Sequence, residues 1–151
     1  MPIQQIERED IDELFALDQR CFRPGIAYSK AELRFFLRRS HGLGFAAKDD
    51  AGLLSGFVLA EAYLEAGRSI GHIVTIDVAP EKRRQGMGAQ LMQSLLHALI
   101  AIEIEIVRLE VAVDNAAAQS FYRRLGFIDT GRIPGFYMGT LDALVMEKNL
   151  C

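Results

Sequence analysis

Apolar and polar positions change period several times along the chain, and each change marks a boundary. Ile11, Leu14, Phe15, Leu17, Cys21 and Phe22 recur at helical spacing, so 8–20 reads as a helix. "RPGIAYS" (23–29) interrupts it, with Pro24-Gly25 as punctuation. Ser29 followed three residues on by Glu32 is a capping-box pattern and predicts a second helix, with Leu33, Phe36 and Leu37 on its buried face. The period then falls to two. "GFAAK" (44–48), a turn at Asp49–Gly52 and "SGFVLAEAYLE" (55–65) predict a hairpin. "GRS" (67–69) turns the chain into "IGHIVTIDVA" (70–79), a strand rich in β-branched residues that Pro80 ends. Helical spacing returns over 86–101, with Met87, Leu91, Leu95, Leu99 and Ile102 near one stripe. "EIVRLEVAV" (105–113) reads as a strand and "NAAAQSFYRRLG" (115–126) as a short helix stopped by Gly126. "FIDTGRI" (127–133) and "LDALVMEKN" (141–149) complete the set as strands. No repeat or linker interrupts this series, which predicts one α/β domain over 1–151 around one central sheet.

Composition narrows the function classes. A chain of 151 residues, half apolar and a quarter charged, can bury roughly 68–70% of its unfolded surface without staples. A net charge of −3 argues against a dedicated nucleic-acid binder. Two cysteines, Cys21 and Cys151, are too few for a disulfide framework or a zinc site, so free thiols and no metal are expected. The first ten residues lack the pattern of a secretory signal, and the longest apolar run, "LLHALIAI", is well short of the ~20 residues that span a bilayer. The expectation is a soluble cytoplasmic protein, monomer or homodimer, with neither membrane nor nucleic acid as partner.

"EKRRQGMGAQLM" (81–92) puts two glycines behind three cations, where a helix is about to begin. A helix start offers unpaired N–H groups and the positive end of a dipole, and so binds anions. Glycine lets a ligand approach the backbone because no Cβ intervenes. The segment is therefore a candidate pyrophosphate cradle. A P-loop would need Lys-Ser/Thr after the glycines, where Ala89-Gln90 stand, and a dinucleotide fingerprint would need a small residue at Leu91.

The wider stretch "VAPEKRRQGMGAQLM" resembles the central motif of the GCN5-related N-acetyltransferase (GNAT) superfamily, Arg/Gln-x-x-Gly-x-Gly/Ala after a strand, here Arg83-x-x-Gly86-x-Gly88. "LEVAVDNAAAQSFYRRLGF" resembles the second family motif, a strand, an Asn and a helix ending in Tyr-x-x-Leu-Gly-Phe. The resemblance runs from about 70 to 149, and is nearest in look to the ribosomal-protein alanine acetyltransferase branch. It implies a mostly antiparallel sheet of six to seven strands, splayed between strands four and five and flanked by about four helices. It also implies acetyl-CoA as acetyl donor. Ile76, Asp77 and Val78 would lie beside the pantetheine, with the Val78 N–H on the thioester carbonyl. The N–H groups of Arg84, Gln85, Gly86, Met87, Gly88 and Ala89, helped by Arg83, would hold the pyrophosphate, and Asn115 would hydrogen-bond the pantetheine.

In that branch a Glu and a Tyr at the separation of Glu110 and Tyr122 serve as general base and general acid. Alternation sets Glu110 and Ala112 on the face opposite Leu109, Val111 and Val113, and cleft-side desolvation would raise the pKa of Glu110. His72 and His97 read as isolated, structural or exposed, His41 as a loop residue beside Gly42, and Cys21 as core. Tyr28 and Tyr137 are expected to wall the acceptor channel, in the loop "RPGIAYS" and the segment "RIPGFYMGT" (132–140). Only "MGTL" separates Tyr137 from the last strand, shorter than the branch favours, which would open the site to small amines or lysine side chains. Three functions follow: acetyl transfer to a protein or peptide N-terminus; acetyl transfer to a polyamine, amino acid or antibiotic; and a non-catalytic acetyl-CoA-binding module, against which the joint presence of Glu110 and Tyr122 argues.

Overall fold

The computed structural model describes residues 2–150, so Cys151 lies outside the described residues. Seven strands and four helices follow one another as β1 (Ile3–Gln5), α1 (Ile11–Cys21), α2 (Lys30–Ser40), β2 (Gly44–Lys48), β3 (Leu54–Glu65), β4 (Arg68–Val78), α3 (Met87–Ala101), β5 (Ile106–Ala112), α4 (Ala116–Arg124), β6 (Ile128–Tyr137) and β7 (Leu141–Asn149). The strands form one sheet in the order β1-β2-β3-β4-β5-β7-β6. Every pairing is antiparallel except β4 with β5, which is parallel.

The predicted local signals are present. Ser29 Oγ accepts from Glu32 N at 3.1 Å while Glu32 Oε1 accepts from Ser29 N at 2.9 Å, so α2 opens with both halves of its capping box. Asp49 Oδ1 accepts from Ala51 N and Leu53 N, both at 2.9 Å, and makes the β2–β3 turn. Asn115 Oδ1 accepts from Ala118 N at 3.2 Å and caps α4, and Gly126 stops that helix with a φ of +94°.

The sheet divides two apolar cores. Alternation along β3 sends Phe57 and Leu59 toward Leu14, Leu17 and Leu33 of α1 and α2, and Val58 and Ala60 toward Leu91, Leu95 and Leu99 of α3. A Cβ on Gly56 would stand 2.9 Å from Asp77 O and 3.0 Å from Met87 Sδ, so the missing side chain lets α3 begin close against β4.

Three sequence expectations change. Ile102 falls beyond the end of α3 and is exposed rather than part of its stripe. The three-residue β1 was not legible. The segment 132–140 is no simple loop: β6 runs through Pro134 to Tyr137, with an irregular register between Ile133 and Tyr137. A proline, which has no N–H to donate, is tolerated there because β6 is an edge strand and its pairing with β7 is irregular at that point. Among the described residues no helix is long and apolar enough to cross a membrane.

Candidate active site

β4 and β5 pair only from Ile70 to His72 against Ile106 to Arg108. Beyond that point they separate, and a cleft of about 940 Å³ opens between Ile73–Val78 and Leu109–Ala112. The open edge of β4 has a definite parity. Ala79 N donates to Ser55 O at 2.8 Å, toward β3, so by alternation Ile76 and Val78 turn their N–H groups into the cleft. The same alternation turns the main-chain N–H of Asp77 toward Phe57 of β3, although Asp77 is among the residues lining the cleft.

Asp77 has a different place. It is 1% exposed and lies against Asp18 of α1. Asp77 Oδ1 accepts from Thr75 Oγ1 at 2.6 Å and Asp18 Oδ2 from Tyr28 N at 2.7 Å. The remaining oxygens, Asp77 Oδ2 and Asp18 Oδ1, have no other partner. One proton held between the two carboxyls satisfies both. Burial first, and then the Asp18 carboxyl, push Asp77 well above the usual carboxylate range, so Asp77 keeps the proton.

At one end of the cleft α3 begins. Gly86 has a φ of +82°, with nothing within 4 Å of the position a Cβ would take, and Arg84 has a φ of +64°. The first turn closes with Gln90 N on Gly86 O at 3.0 Å, which leaves the N–H groups of Met87, Gly88 and Ala89 without intrahelical partners. Gly88 differs from Gly86: a Cβ there would stand 3.2 Å from Phe121 Cζ, so its missing side chain serves the packing of α3 on α4. Lys82, Arg84 and Arg124 line this end. Arg83 Nε donates to Val78 O at 3.0 Å, and Gln85 Nε2 donates back to Glu81 O at 3.4 Å, so both side chains brace the turn.

The other end is built from side chains. Glu110, Tyr28 and Tyr137 line it together with Phe22, Ile26 and Phe136. Tyr28 Oη donates to Val74 O at 3.2 Å, which seats its ring on the wall. Burial first, and then the nearby Glu110 carboxylate, raise Tyr28, and the same two causes push Tyr137 up to about 12. Tyr122 projects from α4 into the same cleft and is 8% exposed; burial raises its hydroxyl. Burial likewise pushes the Cys21 thiol up to about 11, and its Sγ donates to Val78 O at 3.5 Å, so it stays a neutral thiol.

His72 is the residue that sequence reasoning missed. Expected to be isolated, it stands behind Glu110, with Nε2 at 2.8 Å from Glu110 Oε1 and Nδ1 at 3.1 Å from Glu61 Oε2. Burial alone would lower its pKa; hydrogen bonds and charge from Glu110 and Glu61 outweigh that and raise it. His97 and His41 are exposed, as expected. Only the strand alternation of Glu61, His72 and Glu110 hinted at a shared face, and alternation alone does not say which strands are neighbours.

An open strand edge, a bare helix start with free N–H groups, and a cationic rim fit the pantetheine and pyrophosphate of acetyl-CoA. The sequence model of the Acetyltransferase (GNAT) family matches residues 10–127. The chain is 32% identical over 117 residues to N-alpha-acetyltransferase 30 of Schizosaccharomyces pombe, an alignment that covers 77% of each chain. Its fold superposes on Ard1 from Thermoplasma volcanium with a TM-score of 0.90 at 26% identity, over 99% of this chain and 97% of that one. The ribosomal-protein-S18-alanine N-acetyltransferase from Escherichia coli shares the fold at a TM-score of 0.82 and 23% identity, over 99% and 93% of the two chains. The chain belongs to the GNAT family and is an N-acetyltransferase that takes its acetyl group from acetyl-CoA.

Proposed function

We propose that the acceptor is the α-amino group of a protein or peptide N-terminus, and that Glu110 and Tyr122 carry the protons. The observation that carries this reading is the makeup of the acceptor end. Its walls are aromatic and apolar, and each of its ionised carboxylates already has a partner: Glu110 has His72, and Asp114 has Arg23 at 3.0 Å. A polyamine would call for several unpaired carboxylates, whereas an extended peptide calls for apolar walls around one base. The kinship with an N-alpha-acetyltransferase supports the same choice.

Acetyl-CoA supplies a thioester carbonyl that an amine can attack. An α-amino group has a pKa of about 7.7–8.0, so much of it arrives as ammonium and must lose a proton first. Glu110, with one oxygen on His72, takes that proton on the other. The Val78 N–H, turned into the cleft, donates to the carbonyl oxygen as negative charge develops there; a donor of this kind is worth roughly 2.7–4 kcal/mol of barrier. Tyr122 would give its hydroxyl proton to the departing sulfur as the C–S bond breaks, and the nitrogen, which has one further proton to lose in becoming an amide, would return it to the Tyr122 oxygen directly or through water. Burial raises that hydroxyl, and the same dry cleft raises the proton affinity of the thiolate it serves. Ile76 and Val78 hold the pantetheine by main chain, with the Asn115 amide beside them. The N–H groups from Arg84 to Ala89, with Arg83 bracing the turn, hold the pyrophosphate.

An acceptor screen tests this, with N-terminal peptides, polyamines and amino acids offered in parallel and free thiol as the readout. Peptides should turn over at least tenfold faster than any small amine. Preference for a small amine would overturn the acceptor, and no thiol release from any amine would overturn the catalytic roles.

A further inference from the structure

His72 is held from both sides, and only one side belongs to the cleft. Its Nε2 meets Glu110 on β5, and its Nδ1 meets Glu61 on β3. Glu61 is itself held: its other oxygen, Oε1, accepts from Arg39 Nε of α2 at 2.8 Å. The four side chains form a row from the cleft wall to the opposite surface, where Arg39 is half exposed.

We propose that Glu61, gripped by Arg39, is a positioning residue of the acetyl transfer: it fixes the His72 ring so that an Nε2–H is aimed at Glu110 Oε1. The proposal rests on Glu110 as base.

The argument is one of donors and lone pairs. A neutral imidazole has one N–H and one lone pair, and satisfies one carboxylate while repelling the other. A ring donating from both nitrogens satisfies both. Charges then alternate along the row: Glu110 negative, His72 positive, Glu61 negative, Arg39 positive. Burial alone would raise Glu61; hydrogen bonds from Arg39 and His72 outweigh it and hold the carboxyl below its usual value, so the outer anion persists. The other groups facing His72 do not replace this arrangement. Tyr63 of β3 lies 6.4 Å away, ring to ring. Arg108 of β5, its register partner, is committed to Glu65 at 2.7 Å and Glu147 at 2.6 Å. A neutral ring has two tautomers, and in the one protonated on Nδ1 the Nε2 lone pair faces Glu110 Oε1 at 2.8 Å and turns the base away from the amine; the second N–H removes that state.

Glu61→Gln keeps the shape and removes the charge. In the variant the His72 ring proton, followed by NMR, should titrate about one pH unit lower than in the wild type. The ratio of variant to wild-type kcat/KM should fall with pH, from near one at pH 6 to about one tenth at pH 8.5. The ionisation of the acceptor amine cancels in that ratio, and the KM for acetyl-CoA should not move. Arg39→Gln, a surface change, should move both readouts the same way by a smaller amount, and decides the matter if Glu61→Gln fails to fold. An unmoved His72 titration, or a ratio that does not vary with pH, overturns the proposal. Glu110→Gln tests the base separately: a near-normal rate there sinks the role of Glu110, while the NMR titration of His72 still reports on Glu61.

Discussion

At the α3 end of the cleft the groups offered to a ligand are main-chain N–H groups, those of Met87, Gly88 and Ala89 with the open edge of β4. At the acceptor end they are side chains, Glu110, Tyr28 and Tyr137, set on three separate elements and held by further side chains behind them. A main-chain site depends on conformation, so few substitutions reach it, and those that do act through φ or bulk. A side-chain site depends on identity and protonation, so single-atom changes reach it and pH tunes it. Under the proposed function, one end would grip the part common to every reaction cycle and the other end would choose.

The comparison breaks most sharply at the acceptor end. Glu110→Gln and Tyr122→Phe should each lower kcat/KM by roughly 10²-fold or more, with the KM for acetyl-CoA unchanged, in steady-state assays with a peptide acceptor. A change in the KM for acetyl-CoA alone would mean that the two ends are not separable. Gly86→Ala attacks the other end. An L residue at a φ of +82° is strained by about 1–2 kcal/mol, and acetyl-CoA binding by calorimetry should weaken up to tenfold while the peptide KM stays put. Asn115→Ala removes the α4 cap and should cost about 1 kcal/mol of stability, about 2–4 °C in melting temperature by thermal denaturation.

The smallest effect sharpens the role of Asp77, which was expected at the cofactor end and lies beneath it. Its folded pKa is raised, so the stability it contributes is full below the ordinary value of 3.8 and is lost as pH rises through the raised one. Asp77→Asn keeps a hydrogen on that side chain at every pH. Between pH 5 and pH 9 the variant should lose less melting temperature than the wild type. Parallel curves would show that no proton is shared with Asp18.

Legibility followed the same division. The cofactor end could be read because its signal is local: Gly86 and Gly88, a preceding strand and a following apolar stripe lie within one short stretch. The roles proposed for Glu110 and Tyr122 came from the family resemblance, since no local pattern marks either residue. His72 was not legible, because its partners sit 11 and 38 residues away on neighbouring strands, and nothing in the period of β4 reveals which strands flank it. Tyr28 and Tyr137 could be named as walls, yet the strand carrying Tyr137 was cut short at Ile133. β1 escaped because three residues with one half-buried side chain make no pattern; its pairing with Phe45–Ala47 decides it.

The acid kept by Asp77 changes how this protein should be counted. The formal charge of −3 treats every carboxyl as ionised, and a native chain in which Asp77 keeps its proton is less negative than that tally. Unfolding exposes Asp77 to water, where it ionises and sheds a hydrogen ion to the surrounding buffer. Below the raised pKa of Asp77, the heat absorbed on melting therefore includes the heat of protonating that buffer, so scans at one such pH in buffers of different ionisation heat should disagree by an amount that counts the ions released.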